Sequence, residues 1–367
     1  MKVQFNRLAL SEALSLLTSV VPSRTPKPIL KCVRFEALTD CVHVYATDLE
    51  VGINYILSEV QVIEPGQTVL PADKLSAIVR ESVDEVLTLD VQDGTCQIVG
   101  CDSHFTIYGQ EPEQFPNIPD VDGQPDIEVG LLGLKRGIKQ CLFATAKESS
   151  RYAINGVLWE IKGRKLMLVA TDGRRLAQTN VNLSLAPGGE EGVSIIVPSK
   201  TMALVEKLSG DDKEKVAIQL VGSQILLSCA PVSISSNLVD GNFPKYEDII
   251  PKDFDKRIVL NSEAVASAVR RASLLASEET KGIKLSISDN SIMFSGRAPE
   301  AGAAEITMTI DYSGEPISVG FNPQFLTDAL RVIQTPEFEL DLGQPDRPGL
   351  IRSGSEFQYV LMPINLG

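Results

Sequence analysis

A layout that occurs three times along the chain is the strongest constraint on its fold. VYATDLEVGI at 44–53 and VATDGRRLAQ at 169–178 share an Ala-Thr-Asp step, and Asp48 and Asp172 lie 124 positions apart. In both, a short alternating strand leads into the step and another follows it, which is the pattern of paired strands joined by a turn. SISDNSIMFSG reads as a third hairpin of this shape and puts Gly296 a further 124 positions along. Regular self-similarity of this kind marks a chain built from copies of one unit.

Helical segments keep the same period. LPADKLSAIVRES spaces Leu75, Ile78 and Val79 helically, VPSKTMALVEKLSG does so with Leu204, Val205 and Leu208, and FNPQFLTDALRVI with Phe325, Leu326, Ala329, Leu330 and Ile333. Pro71, Pro198 and Pro323 stand at or near the three helix starts, where the missing N–H costs least. A second helix opens each copy: LALSEALSLLTSV, LLGLKRGIKQCLF and SEAVASAVRRASLL, the last with Ser262 and Glu263 as its N-terminal signal. Proline-rich stretches, EQFPNIPDVDGQPD and GNFPKYEDIIPKD, separate the copies. The expected fold is α+β: three repeated domains of two helices and β-sheet, at 1–120, 128–245 and 246–367, with a linker at 121–127.

Asp172, Arg174 and Arg175 around a glycine look like an anion or catalytic site. Their place in a repeated turn argues instead that the carboxylate caps nearby backbone N–H groups. No Gly-rich phosphate loop, HExxH, GxSxG or carboxylate cluster supports an enzyme. With only His43 and His104, and with Cys32, Cys41, Cys96, Cys101, Cys141 and Cys229 free of any CxxC pair, no metal or cofactor is expected. The cysteines read as buried reduced thiols. Hydrophobic residues at 43% and charged residues at 22% fit a globular chain, and neither a signal peptide nor a membrane-length apolar run is evident, so the cytoplasm is expected. A net charge of -14 argues against nucleic acid only on average, because SRTPKPILK, LKRGIKQ and VRRAS are locally basic.

Taken in order, MKVQFN, PILKCVRFEA, ATDLEVGI, PGQTVLPADK, SRYAINGVLWE, VATDGRRLA, VPSK, LVDGNFPKY, GFNPQFL and YVLMPINLG resemble the bacterial DNA polymerase III beta subunit, the beta sliding clamp, over the whole chain. The resemblance implies a non-catalytic homodimeric ring, with helices lining a hole that holds duplex DNA without reading sequence. For DNA contact it implies Arg24, Lys135, Arg136, Lys139, Tyr152, Lys200, Lys252, Arg270 and Arg271; Ala153 stands where relatives carry a second aromatic. For ring closure it implies Lys74, Ile78, Phe105 and Ile107 against Leu274 and Leu275.

The resemblance also implies a hydrophobic cleft that takes peptides of the replicative polymerase, the clamp-loader ATPase, and repair and other polymerases. Its residues here are Ile154, Thr171, Gly173, Arg174, Arg175, Leu176, Pro244, Ile249, Asn322, Phe325, Val360, Leu361, Met362, Pro363, Ile364 and Leu366. Asp248, Thr280 and Asn365 differ from some relatives, and Gly367 is an additional terminal residue. A protein-interaction scaffold that does not encircle DNA is the alternative reading; it would share the repeats and lack the basic helical faces.

Overall fold

The computed structural model describes residues 1–121, 123–147, 152–188, 192–276 and 282–365. Among them are six α-helices: α1 (Arg7–Thr18), α2 (Ala72–Glu81), α3 (Leu131–Cys141), α4 (Ser199–Lys207), α5 (Ser262–Ser273) and α6 (Pro323–Val332). Each falls where the apolar spacing predicts one. In α1, Leu10, Leu14 and Leu17 are completely buried while Leu8 is left exposed, so a single stripe faces the core. Burying each such leucine contributes about 1.5–3 kcal/mol.

Side-chain caps fix three helix starts. Asn6 accepts from the Ala9 N–H, Asn261 from the Ala264 N–H and Asn322 from the Gln324 N–H. The cap of α5 is therefore Asn261, one residue before the Ser262 expected from sequence. Ser262 instead donates its hydroxyl to the Thr335 carbonyl.

The chain forms two compact units. The first comprises Met1–Leu132, Leu183–Gly189 and Lys200–Leu238. It holds an antiparallel sheet in the order Val60–Glu64, Lys2–Asn6, Val86–Gln92, Thr95–Val99 and His104–Tyr108. A longer ladder runs from Ile127–Gly130 through Lys215–Val221, Gln224–Cys229 and Val232–Asn237. It continues through Val51–Leu57, Val42–Thr47 and Cys32–Ala37 to Gly66–Pro71. Phe5 and Phe35 meet edge to face in this core, with ring centroids 6.0 Å apart.

The second unit comprises Gly133–Asn182, Glu190–Ser199 and Val239–Gly367. Its ladder runs Lys256–Asn261, Glu337–Leu342, Gly349–Ser353 and Phe357–Leu361, then through the start of Arg175–Leu185 to Lys165–Thr171, Gly156–Lys162 and Val193–Pro198. A four-stranded sheet has the order Gly302–Thr309, Ser291–Ala298, Ile283–Ser288 and Ile317–Phe321. Trp159, Tyr359, Phe294, Phe321 and Phe357 are its largest fully buried side chains.

Two expectations are corrected here. The SISDNSIMFSG hairpin forms, but its turn is at Asp289 and Asn290, and Gly296 lies inside the strand Ser291–Ala298. A side chain on Gly296 would collide with the Ala272 carbonyl of α5, so close backbone approach is what requires glycine there. Of the cysteines, Cys32, Cys96, Cys141 and Cys229 are buried, whereas Cys41 is half-buried and Cys101 exposed. Burial pushes the Cys96 thiol up to about 12.

Candidate peptide cleft and basic surface

The two Ala-Thr-Asp steps fold into one structure. Asp172 Oδ1 accepts from the N–H groups of Arg174 at 3.0 Å and Arg175 at 3.1 Å. Asp48 Oδ1 accepts from Glu50 at 3.0 Å and Val51 at 2.8 Å. The Thr171 hydroxyl donates to the Arg175 carbonyl at 2.7 Å, as the Thr47 hydroxyl does to Val51 at 2.9 Å. The position after each aspartate has positive φ, 85° at Gly173 and 81° at Leu49. Glycine takes that conformation freely and leucine does not. Both carboxylates thus act as acceptors that hold a turn.

Around the second turn the structure brings Leu176 to Val360, Arg174 to Met362 and Arg175 to Phe325. Leu176 and Val360 are cross-strand partners, both almost fully buried, in a cluster with Ala153, Leu158, Val169 and Ile196. Ile154 and Thr171 are buried nearby in sequence, while Gly173, Arg174, Ile249 and Met362 are exposed. The Met362 N–H donates to the Arg174 carbonyl at 3.0 Å and the Ile364 N–H to Gly320 at 2.9 Å, so the end of the chain is pinned on both sides of Pro363. Pro244, Asn322 and Phe325 are half-buried.

Arg175, unlike its exposed neighbour Arg174, is turned away from solvent. Its side chain is 10% exposed, with Nε 3.0 Å from Asp172, Nη1 2.7 Å from Asp328 and Nη2 2.7 Å from the Phe143 carbonyl. The guanidinium also lies 4.4 Å from the Phe325 ring centroid. Beside it, the Tyr359 hydroxyl donates to the Phe325 carbonyl at 3.1 Å, and burial pushes that hydroxyl well above its ordinary range, so it remains a donor. Leu361 is also displaced from the expected cleft: it is fully buried and, by strand alternation, faces opposite to Val360. Leu366 lies outside the described residues, as does Thr280.

Arg24, Arg136, Lys139, Lys200, Lys252, Arg270 and Arg271 are exposed, Tyr152 is 47% exposed, and Lys135 is half-buried. Arg136 is ion-paired with Glu356 at 3.3 Å, and Lys200 with Asp48.

The expected ring-contact residues lie at the surface. Phe105 and Ile107 share one face of His104–Tyr108, a strand that among the described residues pairs only with Thr95–Val99. Leu274, 79% exposed, and half-buried Leu275 follow α5, while exposed Lys74 and half-buried Ile78 are on α2. Gly302–Thr309 is likewise an edge strand, paired among the described residues only with Ser291–Ala298.

Family models of the DNA polymerase III beta subunit match residues 1–119 (N-terminal domain), 129–245 (central domain) and 247–365 (C-terminal domain). The chain belongs to the DNA polymerase III beta subunit family. The beta sliding clamps of Caulobacter vibrioides and Pseudomonas putida are 32% and 30% identical to it, each alignment covering 100% of both chains. The crystal structure of the Bacillus subtilis DNA polymerase sliding clamp superposes with a TM-score of 0.94 at 28% identity, again over 100% of both chains. This beta subunit is a DNA sliding clamp and processivity factor built from three beta-clamp domains.

Several neighbours of the sites in this beta subunit escaped the sequence reading. Asp328, the partner of Arg175, sits three residues after Phe325 on α6, a helical spacing that could have pointed to it. Tyr246 donates to Glu160 at 2.6 Å; burial and that carboxylate raise its hydroxyl far above the ordinary range. Tyr108, 76% exposed, belongs to the same edge strand as Phe105. Among the described residues no cluster of three or more His, Cys, Asp or Glu could hold a metal, and no helix is long and apolar enough to cross a membrane.

Proposed function

We propose that two copies of this beta subunit close head to tail into a ring around duplex DNA, with domains at 1–120, 128–245 and 246–367. The observation that carries the ring is that His104–Tyr108 and Gly302–Thr309, each at one end of its sheet among the described residues, have Phe105, Tyr108 and Leu274 exposed beside them. Open edges invite pairing, and a contact between two different edges terminates only when the rotation closes. Lys74 and Ile78 would complete one side of the contact, Leu275 the other.

The exposed basic residues would offset phosphate charge without reading bases, giving salt-sensitive association that lets the ring slide. Arg24, Lys139, Lys252, Arg270 and Arg271 are the strongest candidates. Arg136 and Lys200 would first have to leave Glu356 and Asp48. Partner proteins, among them the replicative polymerase, the loader ATPase and repair polymerases, would insert a short peptide against Leu176 and Val360. Gly173, Arg174, Ile249, Met362, Pro363 and Ile364 would form its rim. The chain itself would catalyse nothing, its turn carboxylates being committed to backbone N–H groups, and would act in the cytoplasm on the nucleoid.

Sedimentation tests the ring: a mass near twice 39.8 kDa is expected. After loading on circular DNA the protein should be retained, and it should be lost when the circle is cut. A monomer at micromolar concentration, or retention that ignores DNA ends, would overturn the reading.

A further inference from the structure

The frame around the cleft exists twice. In the second unit Leu176 pairs with Val360 across the ladder; in the first, Gly52 holds the equivalent place after its Thr-Asp turn and pairs with Ser235. Leu158 and Val169 are paired in one copy, Arg34 and Tyr45 in the other. Val69 pairs with Arg34 as Ile196 pairs with Leu158. The segments crossing these faces also match: Phe115-Pro116 precedes Ile118 as Phe243-Pro244 precedes Tyr246. Each lies in the apolar cluster of its own copy, Phe115 and Ile118 with Cys32, Val69 and Tyr45, and Phe243 and Tyr246 with Leu176 and Val360.

The copies differ at the floor. Gly52 has no side chain where the other copy has Leu176, and Ile118 fills the space: a methyl on Gly52 would meet Ile118 Cγ2 at 2.7 Å and Ser235 Oγ at 2.8 Å. Asn54 Nδ2 donates to Asp120 Oδ2 at 2.8 Å, which ties the segment down two residues beyond Ile118. We infer that the first copy is a second peptide site of the same chemical class, one for a short segment with a large apolar side chain, and that Ile118 occupies it in cis. The end of the first domain thus supplies the apolar group itself, which limits each chain to one open cleft. This inference rests on the peptide-cleft reading above.

Titration calorimetry with a synthetic hexapeptide carrying two leucines and a phenylalanine separates the two. The wild-type chain should bind one equivalent, Ile118→Ala two, Met362→Asp none, and Ile118→Ala with Met362→Asp one. No binding to the wild type sinks the cleft reading itself. One equivalent for both the wild type and Ile118→Ala overturns only the present inference. Should Ile118→Ala fail to fold, Asp120→Ala loosens the same segment without removing an apolar group. Alkylation of Cys32, 2% exposed in this cluster, should then accelerate several-fold and slow again when the hexapeptide is added. A Cys32 as inert as in the wild type, or one that the peptide leaves unprotected, overturns the proposal.

Discussion

The Arg175 guanidinium and the Asp328 carboxylate lie 2.7 Å apart and join the second Thr-Asp turn to helix α6 across 153 positions of chain. Both side chains are nearly buried, so the pair has little water to fall back on.

Asp328→Ala would take from that guanidinium one of its two carboxylate partners and leave Asp172 to hold it alone. The loss of stability should be at most about 3 kcal/mol, the lower end for leaving a buried charge with no partner. Peptide affinity should fall with it, because Phe325 packs on the same guanidinium. Arg175→Lys should not restore either property, since an ammonium cannot reach Asp172, Asp328 and the Phe143 carbonyl together. Denaturant unfolding and peptide titration measure both effects; a fully stable Asp328→Ala protein would refute the strut.

Acid should loosen the first turn. Burial pushes the Asp48 carboxyl up, but the hydrogen bond from Lys200 and those from Val51 and Glu50 outweigh it, and the net shift is downward. A carboxyl held below its unfolded value contributes fully above that unfolded value, and the contribution disappears as pH falls through the folded one. Unfolding midpoints between about pH 6 and pH 3 should therefore decline less steeply for Asp48→Asn than for the wild type. Parallel curves would mean that Asp48 contributes no such linkage.

Charge reversal should distinguish DNA-facing side chains from struts. Arg24→Glu and Lys139→Glu should each lower the salt slope of DNA association by about one and leave the unfolding midpoint unchanged. Lys200→Glu should lower the midpoint as well, because it breaks the tie to Asp48. If all three variants keep the wild-type salt slope, those side chains do not face the duplex.

Replacing Leu274 and Leu275 with alanine should release monomers. Each side chain buried at the contact is worth about 2–5 kcal/mol on truncation to alanine. An unaltered dimer in sedimentation would place the ring contact elsewhere.

The helices were legible because an apolar stripe such as Leu10, Leu14 and Leu17 carries its own 3.6-residue period. The turn role of Asp172 was legible because a second copy removed its singularity. Gly296 was misplaced because one alternating hairpin resembles the next, and nothing in a period of two states which turn is which. The burial of Arg175 was not legible for a different reason. Its partners Phe143 and Asp328 are distant in sequence, and whether an arginine faces water or a carboxylate is decided by packing. Lys200 and Asp48, 152 positions apart, escaped notice for the same reason.

The bare backbone at Gly296 has reach beyond its own strand. It lets the Ala272 carbonyl settle directly on Ser291–Ala298, and the edge strand Gly302–Thr309 hangs from that same strand while Leu274 and Leu275 continue from α5. An alanine at 296 would wedge helix and strand apart and carry the two halves of one proposed contact surface in different directions. The tolerance of the proposed assembly would then be set by a residue buried within one chain, and a defect in closure could arise from a lesion in what looks like ordinary interior.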